Sequence, residues 1–259
     1  MSGLKVSTDE RVTRIVFDRP EALNALSPGT LSELIDVCAD LEKNDAVRVV
    51  VFTGAGSCFS AGADLPAFLP LLAGPDAGAT ADLGRRTTDA IAELPQITVA
   101  GIRGHCIGGG LVLAGACDIR IAGSDARFMI PELDAGIPLG WGAMEHLVRL
   151  VGSTLAADLV LSGRAFGAEE ALRSQLVSRT VPTDRLDDAL ESLVATIARK
   201  PKMVLRITKQ QLLAIRAGRF DAREDANALL SSLKDPEALA AGSEYFARRL
   251  RGKGADGPR

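Results

Sequence analysis

The sequence is poor in histidine and in the largest aromatics: two histidines (His105 and His146), one tryptophan and one tyrosine occur among 259 residues. No ligand-spaced cluster accompanies either histidine, so no metal centre is expected. The four cysteines, Cys38, Cys58, Cys106 and Cys117, form no CxxC pair and are expected to be buried, reduced thiols. No apolar run approaches the ~20 residues that cross a bilayer, and the N-terminus MSGLKVSTDERV lacks the hydrophobic stretch of a secretory signal. The net charge is −3, and the only basic cluster is the tail Arg248, Arg249, Arg251 and Lys253, which reads as a solvated end. These absences lead to the expectation of a cytoplasmic globular protein with neither a membrane nor a nucleic acid as partner.

What is present is ordinary globular composition, 47% apolar and 24% charged, enough for one large domain with a helical appendage. Residues 4–17 alternate as two short strands around an Asp9-Glu10 turn. Ser27 reads as an N-cap before Pro28, with Leu31, Leu34, Ile35, Cys38 and Leu41 on one helical face. Val47–Thr53 is a continuous apolar strand of the kind buried on both faces of a parallel sheet. Further strands are expected at 98–103, 118–122, 127–130 and 176–181, with helices at 82–94, 110–116, 142–150 and 153–161. This alternation predicts an α/β architecture. Residues 66–84, rich in Pro, Gly and Ala, read as a long loop. Beyond Val181 only helical patterns follow, which divides the chain into an α/β core, 1–182, and a helical region, 183–259.

Three glycine-rich segments imitate familiar motifs without completing them. GAGSCF (54–59) ends on Phe59 where a dinucleotide fingerprint needs Gly or Ala. No GxxxxGK[ST] occurs, and the Ser60 region, CFSAG, has Cys58 where a nucleophile elbow needs Gly. The remaining chemistry is that of backbone N–H groups. Small residues around Gly62 in FSAGADL let another molecule lie against the main chain. The triplet Gly108–Gly110 opens a helix, where free N–H groups and the helix dipole favour negative charge. Two such donors converging from two loops make an oxyanion hole. The same glycines also suit tight turns and close packing, and spacing does not separate the two readings.

Three longer segments carry a resemblance: RPEALNALSPGTLSEL, VRVVVFTGAGSCFSAGADL and VAGIRGHCIGGGLVLAGACDIRIAGSDARFMIPELDAGIP. Together they resemble the crotonase superfamily, the enoyl-CoA hydratase/isomerase family, over roughly residues 10–180 and more loosely to about 250. The resemblance implies a crotonase-like spiral of ββα units with a C-terminal all-helical region used in trimer contacts. It implies acyl-CoA thioester substrates, coenzyme A being part of the substrate and no separate cofactor being needed. By motif it assigns the oxyanion donors to the backbone N–H groups of Ala63 and Gly109 and the acid–base role to Glu132. It points to Ala22, Leu23, Ala61, Gly62 and Asp64 for coenzyme A, with Gly108, Gly140 and Trp141 as further substrate contacts. Arg19 and Lys209 are candidates for its phosphates. The expected assembly is a homotrimer or a dimer of trimers.

The sequence departs from the family pattern at one decisive place. Hydratases carry a second glutamate two residues beyond the glycine triplet, where this chain has Val112. A valine neither holds nor exchanges a proton, so double-bond isomerisation by one carboxylate is favoured over hydration. The alternative is a catalytically impaired acyl-CoA-binding protein. The position of the dienoyl isomerases' aspartate is Gly140, which disfavours that branch.

Overall fold

The computed structural model describes residues 3–253. It divides into two compact units, Met1–Ala195 and Thr196–Arg259. The first begins with the expected hairpin, β1 (Leu4–Asp9) and β2 (Val12–Phe17), paired Leu4↔Phe17 to Asp9↔Val12, with Glu10 at φ +45° in the turn. Helix α1 (Pro28–Lys43) starts where the sequence places it: the Ser27 hydroxyl accepts from Thr30 N–H, and Leu31, Leu34, Cys38 and Leu41 are buried. Next come β3 (Val49–Gly54), α2 (Leu65–Leu72), α3 (Ala77–Ala92) and β4 (Ile97–Ile102). They lead into β5 (His105–Ile107), α4 (Gly109–Ala116), β6 (Ile119–Gly123) and β7 (Arg127–Met129). The unit continues through α5 (Ala143–Val151), α6 (Ser153–Ser162), β8 (Phe166–Gly167), α7 (Ala168–Arg173) and β9 (Arg179–Val181), and ends within α8 (Leu186–Ala198).

The strands form a six-stranded sheet in the order β1-β2-β3-β4-β6-β9 and a three-stranded sheet β5-β7-β8. In the larger sheet every pairing after the hairpin is parallel. β3 and β4 sit in its middle, which explains why Val49–Phe52 and all of β4 are buried and apolar runs rather than alternating ones. Helix α4 is apolar all round because it is itself buried. Its C-terminal carbonyls are held by the buried Arg120 guanidinium, which donates to Cys117 O at 2.6 Å and also reaches Leu176 O at 2.6 Å.

Three sequence expectations need correction. Residues 66–84 are not a loop: they form α2 and the first half of α3, because Asp64 caps α2 by accepting from Ala67 N–H and the alanine-rich stretch after Asp76 favours helix. The strand expected at 176–181 shrinks to β9, since Gln175 at φ +63° and Val177 N–H bonded to Ala171 O keep its first half in a turn. The short β5, β8 and α7 carry no periodic signal long enough to read. The division between units falls within α8 and not at 182/183, because Leu186, Leu190 and Val194 are buried and Leu190 packs directly on Gly101 of β4.

The second unit consists of helices: α9 (Lys202–Arg216), α10 (Asp225–Ser232) and α11 (Pro236–Lys253). Glu237 of α11 accepts from Lys202 N–H at the start of α9. Arg248 is exposed and paired with Glu244, while the side chains of Arg251 and Lys253 lie outside the described residues. Among the described residues no helix is long and apolar enough to cross a membrane.

Candidate active site

Parallel sheets present their ligands at the carboxyl ends of the strands. Here the loop after β3 and the segment after β4 leave that edge side by side. Phe59 N–H bonds to Arg103 O, Ser60 N–H to His105 O, and Ile107 N–H to Ser60 O, at 2.9–3.0 Å. On its other side the loop is tied to the turn before α1: Leu26 N–H donates to Gly62 O at 2.8 Å and Asp64 N–H to Leu26 O at 3.0 Å. Buried Asn24 completes the clamp, its amide donating to Ala55 O and Cys58 O while Ser60 Oγ donates to Asn24 O. Gly62, at φ +97°, is where the two segments meet: a Cβ there would stand 2.9 Å from Ile107 O and 3.4 Å from Gly109 N.

This clamp brings Ala63 and Gly109 to one cavity, which both residues line. Neither N–H is engaged by a backbone bond among the described residues; Gly109 is the first residue of α4, whose first turn bond runs from Val112 N–H to Gly108 O. Each glycine of the triplet makes room for a different group. A Cβ on Gly108, at φ +47°, would lie 2.7 Å from Glu132 Oε1. On Gly109 it would lie 2.4 Å from Trp141 Cζ3, and on Gly110 2.8 Å from Ser60 Cβ.

Glu132 enters the cavity from the turn after β7, which is closed by Ile137 N–H donating to Glu132 O. Its carboxylate is half-buried, Oε2 has no hydrogen-bond partner, and loss of solvent pushes its pKa above the usual glutamate range. Val112, 4% exposed, lies one turn into α4 and shares the same wall. The cavity measures about 240 Å³ and, Thr80 apart, is otherwise apolar, lined by Leu65, Phe68, Leu72, Ile137, Leu139 and Trp141 among others. Within this wall Glu132 is the one ionisable side chain.

Of the residues expected at the site, Ala63, Gly109, Glu132, Gly140 and Trp141 line the cavity together. Ala22, Leu23, Ala61, Gly62, Asp64 and Gly108 are not among the residues that line it. Leu23, exposed at φ +50°, is pinned by Ala61 N–H donating to its carbonyl, which joins the turn after Arg19 to the Ala63 edge. The Asp64 carboxylate is engaged in capping α2 and in an ion pair with Arg19 Nη1 at 2.8 Å, and the same Nη1 donates to Ala25 O. Lys209 is buried. Residues 66–84, expected as a loop, supply Phe68 and Leu72 of α2 and Thr80 and Ala81 of α3 to the cavity wall, joined by Leu65 at the start of α2. Asn24 went unnoticed too, although an Asn in a turn between a strand and a capped helix is a known backbone staple. The cysteines are free and buried, and burial alone raises Cys38 to about 12.

Comparison with known proteins gives a consistent picture. The model of the family described as enoyl-CoA hydratase/isomerase matches residues 7–251. A probable enoyl-CoA hydratase of Mycobacterium tuberculosis is 36% identical over 205 residues, 79% of each chain. The 2,3-dehydroadipyl-CoA hydratase of Escherichia coli is 33% identical over 247 residues, covering 93% of this chain and 95% of that one. Among solved structures, a putative enoyl-CoA hydratase from Thermobifida fusca in complex with acetoacetyl-CoA superposes with a TM-score of 0.79 at 32% identity, over 94% of this chain and 96% of that one. An enoyl-CoA hydratase/carnithine racemase from Magnetospirillum magneticum reaches 0.89 at 25% identity, over 96% and 94%.

Proposed function

The chain belongs to the enoyl-CoA hydratase/isomerase family and has the crotonase fold, and from that premise we propose that it shifts the double bond of an enoyl-CoA thioester using Glu132 alone. The thioester oxygen accepts from the N–H groups of Ala63 and Gly109, so negative charge gathering there on enolisation meets two fixed dipoles. The Glu132 carboxylate takes a proton from C2 of a 3-enoyl thioester, and the electron pair spreads into a dienolate. The resulting carboxylic acid returns the proton to C4, leaving the double bond between C2 and C3. Burial makes Glu132 a stronger base than an exposed glutamate, and the apolar wall keeps water from competing for the proton.

One observation carries this reading: the cavity wall holds a single ionisable side chain, Glu132, and Val112, which the resemblance to hydratases aligns with their second glutamate, lines the same wall. The acetoacetyl-CoA complex of the Thermobifida neighbour supports the thioester as ligand class. Val112 equally favours a second reading, a crotonase-fold protein that binds acyl-CoA without turning it over. Coenzyme A arrives with the substrate on either reading, and a homotrimer or dimer of trimers, measurable by sedimentation, is the assembly proposed.

Purified protein offered 2-enoyl- and 3-enoyl-CoAs of several lengths separates these readings. Isomerisation of the 3-enoyl substrates is expected, falling about 10²–10⁴-fold in Glu132→Gln while acyl-CoA binding persists. Thermal stabilisation by acyl-CoA without turnover establishes the binding protein instead. Rapid hydration of a 2-enoyl-CoA overturns the reading of Val112.

A further inference from the structure

Three features that proton transfer does not require converge on Trp141. Its backbone lies at φ +60°, a left-handed conformation that a bulky side chain adopts only when its surroundings impose it. Its ring is seated in a slot made by two glycines of different helices. A Cβ on Gly84 would come within 2.0 Å of Cε2, 2.1 Å of Cδ2 and 2.2 Å of Nε1; a Cβ on Gly109 would come within 2.4 Å of Cζ3 and 2.7 Å of Cη2. Gly84 lies inside α3, where an alanine would favour the helix, so its lack of a side chain is explained by the indole it admits.

We propose that Trp141, fixed between Gly84 and Gly109, determines which acyl groups the enzyme accepts, admitting short, planar acyl-CoAs and excluding long flexible chains. The inference rests on the acyl-CoA reading above. Because the six-membered ring lies against Gly109, the carbons next to a thioester carbonyl held at the Gly109 N–H meet the indole first. Phe68 supplies a second aromatic wall, its centroid 6.3 Å from that of Trp141 at 42°. A conjugated acyl group gains from packing on these faces, whereas a long chain finds about 240 Å³, less than the roughly 300–1,000 Å³ of pockets for drug-sized ligands.

Trp141 is the only tryptophan in the chain, so its fluorescence reports this ring without a label. Crotonyl-CoA and dec-2-enoyl-CoA are titrated into the wild type, W141A and G84A, with calorimetry for affinity and emission where the tryptophan remains. The wild type is expected to bind crotonyl-CoA at least about tenfold tighter than the ten-carbon thioester, with a change in emission, since each methylene that fits or fails in an apolar pocket counts for about 10–200-fold. W141A should abolish that preference. G84A, whose new methyl occupies the ring's seat, should alter emission before ligand is added and change the preference as well. If W141A folds poorly, G84A decides alone. A preference unchanged in a folded variant that still binds acyl-CoA, or an emission indifferent to ligand, overturns the role of Trp141 and leaves the acyl-CoA reading standing. Failure of the wild type to bind either thioester in the calorimeter overturns both.

Discussion

The two chemical walls of the cavity are built on different principles. The wall proposed to hold the thioester oxygen is made of backbone: Ala63 and Gly109 are fixed by the course of two segments, and Gly62 lets those segments meet. The wall proposed to carry the acid–base chemistry is made of side chains: Glu132, desolvated and with one oxygen unpaired, and Val112, which contributes only bulk. Apart from substitution by proline, a backbone donor survives any side-chain change that leaves the fold intact. A side-chain acid disappears with one codon. On the proposed function, this difference lets a fold keep activating a thioester while a single residue alters the reaction that follows.

The sharpest way to break this contrast is to remove a backbone donor. Ala63→Pro deletes one N–H but keeps its neighbours' bonds, since Leu26 N–H to Gly62 O and Asp64 N–H to Leu26 O do not involve it. A loss of about 10²–10³ in kcat, equivalent to about 2.7–4 kcal/mol, is expected, with circular dichroism unchanged. Ala63→Gly keeps the donor and should stay within a small factor of the wild type. Equal behaviour of the two variants would dissolve the distinction between the walls.

A smaller effect is expected from restoring the missing carboxylate. Val112→Glu places a second acid in the same wall as Glu132, and hydration of crotonyl-CoA should rise at least about tenfold above the wild type, a modest share of what general acid–base catalysis supplies. Because Val112 is buried, burying a carboxylate in its place should also lower stability, by about 1–3 kcal/mol. A stability loss without any hydration would mean that Val112 is there for packing alone.

The two walls also differed in how far the sequence disclosed them. Gly62, Ala63 and the glycine triplet were legible because close backbone approach leaves small residues in a row, and Glu132 was legible by its motif. The opening hairpin, α1 and the central strands followed from alternation, capping and apolar runs. The tail-facing wall was not legible. Proline and glycine in 66–84 suggest a loop, yet the helices there depend on a cap at Asp64 and on packing of Phe68 that local propensity does not express. Gly84 was opaque for the same reason: its purpose is a ring fifty-seven positions away, Trp141, and no local pattern records it.

The mildest test reads the acid–base wall without substrate. Burial raises the Glu132 pKa in the folded protein, so the folded state holds its proton to higher pH than the unfolded chain does. Well below the ordinary glutamate range both states are protonated, and the residue is neutral to stability. As pH rises past the unfolded value, ionisation favours the unfolded chain, and the penalty grows until the folded carboxyl also ionises, after which it stays constant. Glu132→Gln removes a titrating group while keeping the shape, so it should raise Tm at about pH 8 and leave it unchanged near pH 3. Thermal melts across this range check the sign: an advantage of equal size at both ends would mean that the glutamine packs better, and that desolvation of the carboxylate is not what distinguishes this wall.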